Sequence, residues 1–430
     1  MKILVVALGL GLTGCFGAHR SGAVGDQPDG GTSQDALTCG SLTCDQTPAS
    51  TCFDTVTLQT YQAACADNAC SYPETDVACG AGGCCTDHCC EPEPSNSDVF
   101  GEVMPTGVTI AHASGTFDTD TQCVAGAALG NCTVAQRSSD SELGEACVCR
   151  ADDVTIGSLT ITGARALVVF ANHTVTIEGT LSVSGVSAIP GPGTSMAYTS
   201  SETGLLSGVG GSYQTAGGGS SGVSAAGPFG NATLVPLLGG MNGQDAAGGH
   251  GGGAGGAVQI TAGSSITIDG TINAGGGGGV GGGVTVNTAG AGGGGSGGAI
   301  LLEAPTVTIG GSLFANGGGG GGGGTNINFG GNGGDASATA GSGANVTVGT
   351  GCDASGDING GAGGTGASVT TAAAAGGPAD YSTICFGDPS FGGNGGGGGG
   401  LGRIRINTLT GCDCSTTSSP VPTLGSLVVH

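Results

Sequence analysis

Short apolar runs with a period of two dominate the chain from Asp153 onward. Three blocks align with one another, residues 166–185, 257–276 and 299–317, and a partial fourth block begins at Arg403. Each full block contains three short alternating segments separated by tight turns, which is typical of β-strands. The alternation places these apolar side chains on one face: Leu167, Val169, Ala171, Val175, Ile177, Leu181 and Val183 in the first block, Val258, Ile260, Ala262, Ile266, Ile268, Ile272 and Ala274 in the second, Ile300, Leu302, Ala304, Val307, Ile309, Leu313 and Ala315 in the third, and Ile404 and Ile406 in the fourth.

A single block cannot bury its apolar face, whereas stacked blocks bury a continuous column. The repeat therefore predicts an all-β fold, a parallel β-helix with three short strands per coil over residues 154–410. Long Gly-rich tracts, residues 186–256, 277–298 and 318–402, separate the third strand of one block from the first strand of the next. We expect these insertions to leave the helix at one corner.

The Gly-rich tracts have two interpretations, disorder and packed polyproline-II-like strands that need no side chains. Ordering glycine costs much backbone entropy, because it loses more conformational freedom on folding than any other residue. The sequence leaves both interpretations open, and we expect partial order where the tracts flank the helix.

The alternation also predicts which side chains face outward. In the first strands these are Leu301 and Glu303 of the third block and Arg403 and Arg405 of the fourth. Direct stacking of the two blocks would place Glu303 beside Arg405, one strand spacing of ~4.8 Å away. The second strands predict an outward ladder of threonines, formed by Thr176, Thr267 and Thr308.

The start of the chain has the pattern of a secretory signal peptide over residues 1–14, in which Lys2 precedes an apolar stretch of about ten residues. That stretch is shorter than the ~20 residues of a membrane-spanning helix. The ending Leu12-Thr13-Gly14-Cys15 resembles the bacterial lipobox, which implies that Cys15 is lipidated and becomes the mature N-terminus. By the same resemblance, Phe16 in the second mature position favours the outer membrane.

The cysteines other than Cys15 fall in three even groups, which indicates disulfides closed within each group in an oxidising compartment. A flexible tether, 15–38, precedes a Cys-rich disulfide module, 39–94, and connecting strands, 95–153, lead to the repeat, which a C-terminal tail, 411–430, follows. The groups are Cys39, Cys44, Cys52, Cys65, Cys70, Cys79, Cys84, Cys85, Cys89 and Cys90, then Cys123, Cys132, Cys147 and Cys149, and then Cys352, Cys385, Cys412 and Cys414. The pairing inside each group is not fixed by sequence.

The run from Cys84 to Cys90, which includes His88, also offers zinc ligands, but disulfides suit an exported chain better. The cysteine spacing resembles the Cys-rich modules near the N-termini of myxobacterial exported lipoproteins. The segment Glu91-Pro92-Glu93-Pro94-Ser95 predicts a short, stiff linker after this module.

The charge balance narrows the range of partners. Glycine supplies 99 of 430 residues, only 9% are charged, and the formal net charge is −24. Loss of residues 1–14 would remove the only lysine. Such acidity argues against nucleic acid, which is bound through basic contacts to phosphate, and against docking of a basic patch on anionic lipid.

Candidate chemistry is sparse. Glu178 and Asp269 occupy equivalent outward positions in adjacent blocks, about one strand spacing (~4.8 Å) apart. Such a pair is compatible with a retaining glycosidase or with calcium, and the simpler interpretation is two solvated charges. Asp335, within residues 330–338, lies in a sequence that resembles the calcium-binding nonapeptide of RTX repeats, although Ser337 replaces its large apolar residue. Sugar platforms need exposed aromatic side chains, for which the sequence offers a few phenylalanines and Tyr198, Tyr213 and Tyr381.

The sequence therefore predicts a non-enzymatic cell-surface lipoprotein, structural or adhesive, which displays Gly-rich loops on a β-helix and needs no metal or cofactor. The repeat resembles Gly-rich β-helical surface proteins and adhesins of bacteria. That resemblance implies surface polysaccharide or an envelope protein as partners, in addition to the membrane at the lipid anchor. The alternative is a carbohydrate-active β-helix enzyme, a polysaccharide lyase or glycoside hydrolase, because right-handed β-helices include both.

Overall fold

The computed structural model describes residues 37–39, 42–44, 47–79, 83–104, 106–138, 144–194, 206–285, 287–349, 358–382, 390–414 and 417–430. The predicted signal peptide, Cys15, Tyr198, Cys352 and Cys385 lie outside these ranges. Strands account for 39% of the structure and helix for 1%, so the predicted all-β class is confirmed. Among the described residues, no helix has the length and apolar character needed to cross a membrane.

The chain divides into two compact units. The first contains the described part of Met1–Pro48 together with Tyr61–Thr75, and the second contains Ala49–Thr60 and Asp76–His430. Two antiparallel hairpins form the first unit. Each strand carries one cysteine, and two disulfides link one hairpin to the other. The strands are β1 (Leu37–Cys39), β2 (Leu42–Cys44), β5 (Ala64–Ala66) and β6 (Ala69–Ser71), and the disulfides are Cys39–Cys65 and Cys44–Cys70.

The remaining cysteines of the first group lie in the second unit, where three disulfides join short strands. These bonds are Cys52–Cys84, Cys79–Cys89 and Cys85–Cys90. The strands are β3 (Thr51–Cys52), β4 (Thr57–Tyr61), β7 (Glu74–Ala78), β8 (Cys84–Cys85) and β9 (His88–Cys89), of which β4 and β7 cross the boundary between the units. All ten cysteines of this group are therefore paired within it.

A curled, largely parallel sheet of fifteen strands, shaped like a half-barrel, dominates the second unit. Its strands are β11 (Thr109–Asp118), β12 (Asn131–Gln136), β13 (Glu145–Thr162), β14 (Ala166–Ile177), β15 (Thr180–Ser182), β16 (Ala257–Ala262), β17 (Ser265–Ile268), β18 (Thr271–Asn273), β19 (Ala299–Glu303), β20 (Thr306–Ile309), β21 (Ser312–Phe314), β26 (Arg403–Thr408), β27 (Cys412–Asp413), β28 (Ser418–Ser419) and β29 (Thr423–Ser426). The first strands of the blocks pair in parallel in the order β14, β16, β19 and β26, and the second and third strands do the same.

The register within the sheet follows the alignment of the blocks. Leu167 pairs with Val258, Val258 with Ile300, and Ile300 with Ile404. The apolar positions of all three strands form one continuous buried cluster. The predicted threonine ladder is confirmed as well, because Thr176 pairs with Thr267 and Thr267 with Thr308.

The sheet extends further toward the N-terminus than the sequence repeat indicates. Strand β13 lies beside β14 and β15, so that Cys147 pairs with Leu167, Val154 with Val175 and Leu159 with Leu181. Sequence alternation did not reveal this level before Asp153, because two of its core positions are cysteines. These join the disulfides Cys123–Cys147 and Cys132–Cys149 inside the core.

The outer face of the first strands is covered, and this corrects two expectations. Leu301 and Glu303, predicted to face outward, are both fully buried. Leu301 belongs to a second apolar cluster, in which Tyr213, Leu234 and Leu237 from a Gly-rich tract pack on the sheet. These residues form a second layer over the outer face of the sheet. Strand alternation alone does not predict such a layer, because it is a tertiary contact.

The predicted pairing of Glu303 with Arg405 is wrong. In the parallel register, Arg405 lies opposite Leu301, and Glu303 lies opposite Asn407. The error is one of spacing within the repeat, since Arg405 aligns two residues before Glu303. Arg405 instead donates to Asn407 Oδ1 at 2.8 Å and to the carbonyl of Leu424 at 3.2 Å.

The segment predicted to be a stiff linker belongs to the second unit and is paired within it. Strand β10 (Pro92–Glu93) pairs antiparallel with β30 (Val428–Val429), which lies in the predicted C-terminal tail. One turn of helix, α1 (Ser97–Phe100), follows. Its Phe100 joins the second apolar cluster and is 3% exposed.

The described residues of the Gly-rich tracts are joined by a network of backbone hydrogen bonds. Residues 292–298 illustrate the pattern, in which every third residue donates to the same neighbouring segment. Gly292, Gly295 and Gly298 donate to Val280, Gly277 and Ala274, Gly293 and Ser296 to Gln244 and Met241, and Gly294 and Gly297 to Gly397 and Gly400. A period of three identifies polyproline-II-like chains, which have three residues per turn.

Each such chain therefore contacts neighbours on several sides, and we refer to the packed tracts as the glycine bundle. Within it, a Cβ built on Gly293 would overlap the carbonyl oxygen of Val209, and one built on Gly396 would overlap that of Gly292. Glycine is required here because only its backbone allows this close approach. The short pairs at the edges of the bundle are β22 (Thr347–Val348) with β23 (Asn359–Gly360) and β24 (Tyr381–Ser382) with β25 (Ser390–Phe391).

Candidate functional site

An open groove of about 580 Å³ lies at the edge of the glycine bundle. It is lined by Asn328, Phe329, Gly331, Asn332, Ser342, Gly343, Ala344, Asn345, Val346, Thr347 and Val348. Phe329 is 73% exposed, which makes it the most exposed of the large apolar side chains in the described part of the chain. None of the lining residues carries a charge, so the site combines an aromatic ring with neutral polar groups.

Backbone contacts to the glycine bundle fix the walls of this groove. The amide of Gly330 donates to Gly282 at 2.8 Å, and Ala344 donates to Gly320 at 3.1 Å. Asn332 Oδ1 accepts from the amide of Gly281 at 3.0 Å. A binding surface held in this way needs little ordering when a ligand arrives.

A second groove of about 460 Å³ adjoins the first, because Ser342 lines both. Hydroxyl and small side chains form its walls: Ala338, Thr339, Ala340, Gly341, Ser342, Thr365, Ser368, Val369, Thr370, Thr371, Thr417, Ser418 and Ser419. It also lacks charged lining residues. The two grooves thus share Ser342 and have no charged lining residue, and together we call them the groove pair.

The carboxylates proposed from sequence lie elsewhere. Glu178 and Asp269 directly follow the paired residues Ile177 and Ile268, and both are exposed. Glu178 Oε2 lies 3.3 Å from Nδ1 of His112, with both side chains more than half exposed. This arrangement corresponds to a solvated surface pair, of the kind that contributes ~0–1 kcal/mol to stability.

Asp335 has a structural role in the glycine bundle. Its Oδ1 accepts hydrogen bonds from the amides of Ser187 at 2.7 Å and Gly278 at 2.8 Å. Among the described residues, the one group of three or more potential metal ligands is Cys132, Cys147 and Cys149. These cysteines are oxidised in disulfides, so they are unavailable as thiolate ligands.

Glu303 is a fully buried carboxylate with several hydrogen-bond donors, and no charge pattern in the sequence singled it out as buried. Its oxygens accept from Gln259 Nε2 at 2.9 Å, Thr261 Oγ1 at 3.1 Å and Asn407 Nδ2 at 2.9 Å. They also accept from the amide and hydroxyl of Ser95. This cluster ties the segment before α1 to three strands of the sheet.

Tyr213 is buried rather than exposed, which excludes it as a sugar platform. Its hydroxyl donates to the carbonyl of Leu238 at 2.7 Å, and the guanidinium of Arg403 lies 5.2 Å from its ring centroid. Burial raises the pKa of Tyr213 above its usual value, and burial likewise lowers the pKa of Arg137 to about 10. Both groups fasten the second layer to the sheet, since Arg137 donates to the carbonyls of Gly193 and Leu237.

Sequence reasoning did not find the groove pair. Its aromatic residue, Phe329, stands alone in a tract of Gly and Asn, and the lining residues are separated by turns of the glycine bundle. The available signal was an isolated large apolar residue, with Ile327, between two glycine runs. Tyr381, the other described tyrosine proposed as a sugar platform, begins β24.

No protein-family model matches this chain. Neither a curated protein nor a solved structure matches it.

Proposed function

We propose that this protein is a non-enzymatic lipoprotein of the bacterial cell surface, anchored through Cys15, which presents an adhesive surface at a distance from the membrane. The curled sheet is interpreted as the wall of a parallel β-helix, with the Gly-rich tracts as insertions on one side. The observation that carries the proposal is the groove pair, an uncharged surface with an exposed aromatic ring on a rigid scaffold.

Rigidity supports an adhesive role. The glycine bundle is held by backbone hydrogen bonds in several directions, so ligand binding does not have to order a flexible loop. The sequence features of residues 1–16 support export and lipid attachment. An adhesin attached in this way would keep its binding surface on the cell.

Anchoring can be tested with Cys15→Ser. The variant should lose palmitate labelling and accumulate as an uncleaved or soluble form, because lipid attachment requires the thiol. The matched variant Phe16→Asp should keep the label and shift toward the inner membrane. A Cys15→Ser protein that remains labelled and membrane-bound would exclude the proposed anchor.

Surface display and adhesion need a separate measurement. Protease added to intact cells should digest the exported chain. Cells that lack the gene should adhere less to polysaccharide-coated surfaces. Protection from protease on intact cells, with full digestion after lysis, would contradict surface display.

A further inference from the structure

The lining of the groove pair restricts the chemistry of its ligand. The first groove has the aromatic face of Phe329 next to the amide side chains of Asn328, Asn332 and Asn345. An aromatic ring offers an apolar face to the C–H groups of a sugar ring, while amides donate to and accept from hydroxyl groups. Its volume of about 580 Å³ lies in the usual range of small-ligand sites.

Two of these asparagine side chains are held in place by hydrogen bonds within the protein, one through its nitrogen and the other through its oxygen. Asn328 Nδ2 donates to the carbonyl of Val348 at 2.8 Å, and Asn332 Oδ1 accepts from Gly281, so these two side chains are held in fixed orientations. Asn345 is exposed on the groove wall. A fixed aromatic ring beside oriented amides is suited to a polyhydroxylated ligand.

The length of the surface indicates a polymer. Ser342 connects the first groove to the second, whose walls carry the hydroxyl groups of Thr339, Thr365, Thr370 and Thr417, among others. A single sugar would fill a fraction of the first groove, whereas an extended chain would contact both.

The charge of the protein indicates a neutral ligand. The chain carries a formal net charge of −24, and no lining residue of either groove supplies a cation. A polyanion such as an acidic polysaccharide would be repelled by this field without gaining an ion pair.

We propose that the groove pair binds a neutral polysaccharide, with Phe329 stacking on a sugar ring and Asn345 contacting its hydroxyl groups. This proposal rests on the adhesive function proposed above and names the ligand class of that same site. It differs from the enzymatic alternative because it assigns binding without turnover.

The test uses the full-length chain in detergent and immobilised dextran, galactomannan and alginate. We expect retention on at least one of the two neutral polymers and none on alginate. Phe329→Ala should weaken binding by about tenfold, as expected for removal of an aromatic stacking contact. Phe329→Tyr should retain binding, and Asn345→Ala should weaken it by about threefold through loss of hydrogen bonds.

The matched control is Phe53→Ala, because Phe53 is 69% exposed and lies outside the groove pair. This variant should bind like the wild type, and thermal unfolding should show that all variants remain folded. Equal losses for Phe329→Ala and Phe53→Ala would overturn the proposal, as would preference for alginate or binding to neither neutral polymer. If Phe329→Ala instead abolished capture of an envelope protein without any polysaccharide binding, the ligand class would be wrong. Palmitate labelling and protease access on cells would then decide the anchored, surface-displayed function independently.

Discussion

At the scale of single residues, we expect the buried carboxylate of Glu303 to contribute strongly to the stability of the fold. Its carboxylate is inaccessible to solvent and accepts hydrogen bonds from Ser95, Gln259, Thr261 and Asn407. Glu303→Ala would leave these donors without their acceptor, and each unsatisfied buried group costs ~1–3 kcal/mol. We expect the free energy of unfolding to fall by about 4 kcal/mol in denaturant titrations.

Glu178→Ala is the control for this experiment, because Glu178 is exposed and its carboxylate lies 3.3 Å from Nδ1 of the exposed side chain of His112. Its effect should stay within about 0.5 kcal/mol. Similar losses for both variants would mean that Glu303 is not buried in the cluster. The sequence placed Glu303 on the outward face of its strand, but that face is covered at this position, and Ser95, which donates to Glu303, lies 208 positions away in sequence.

At the scale of elements, the strand register is testable at neighbouring residues. Ile268 is fully buried in the core, whereas Thr267 belongs to the outward ladder. Ile268→Asp would bury a carboxylate without a partner and should destabilise the protein by more than about 4 kcal/mol, while Thr267→Asp should cost less than about 1 kcal/mol. A shift of register by one residue would reverse this order, because it exchanges the two faces.

The glycine bundle gives a second prediction at this scale. In Gly293→Ala the new methyl group would meet the carbonyl of Val209, so the packed chains must separate. We expect a loss of about 3 kcal/mol and a lower midpoint of thermal unfolding. Gly227→Ala is the matched control, because a Cβ at Gly227 meets no atom within 4 Å. That substitution should be neutral or stabilise slightly through the unfolded state, and equal effects would argue against close packing of the bundle.

The elements also show where sequence reasoning succeeds and where it stops. The apolar positions of the blocks from Ala166 onward were aligned correctly because local alternation determines which side chains share a face, although the predicted pairing of Glu303 with Arg405 was wrong by two residues. Order in the Gly-rich tracts could not be decided, because polyglycine has no side-chain pattern and its hydrogen bonds join segments far apart. Gly294, for example, donates to Gly397. For the same reason, the sequence did not predict the groove pair, whose lining residues lie within 328–348, 365–371 and 417–419.

At the scale of the whole molecule, the disulfides differ in how accessible they are to a reductant. In the first unit, Cys65 is exposed, although its partner Cys39 is buried, and the strands that carry these cysteines have only three residues each. Cys147 and Cys149 are fully buried in the continuous core of the sheet, where a reductant has access only after local opening. We therefore expect the Cys39–Cys65 bond to be reduced before the bonds of Cys147 and Cys149 under mild reducing conditions without denaturant.

Timed alkylation followed by mass mapping would measure this order. Loss of Cys39–Cys65 and Cys44–Cys70 removes loop constraints of 26 residues each, and each such constraint is worth about 3 kcal/mol. The first unit should then become sensitive to limited proteolysis while the sheet persists, because its stability derives from the apolar column of Leu167, Val258 and Ile300. Alkylation of Cys147 as fast as Cys65, or digestion of β14 and β16 together with the hairpins, would show that the disulfides and the sheet unfold as one cooperative structure.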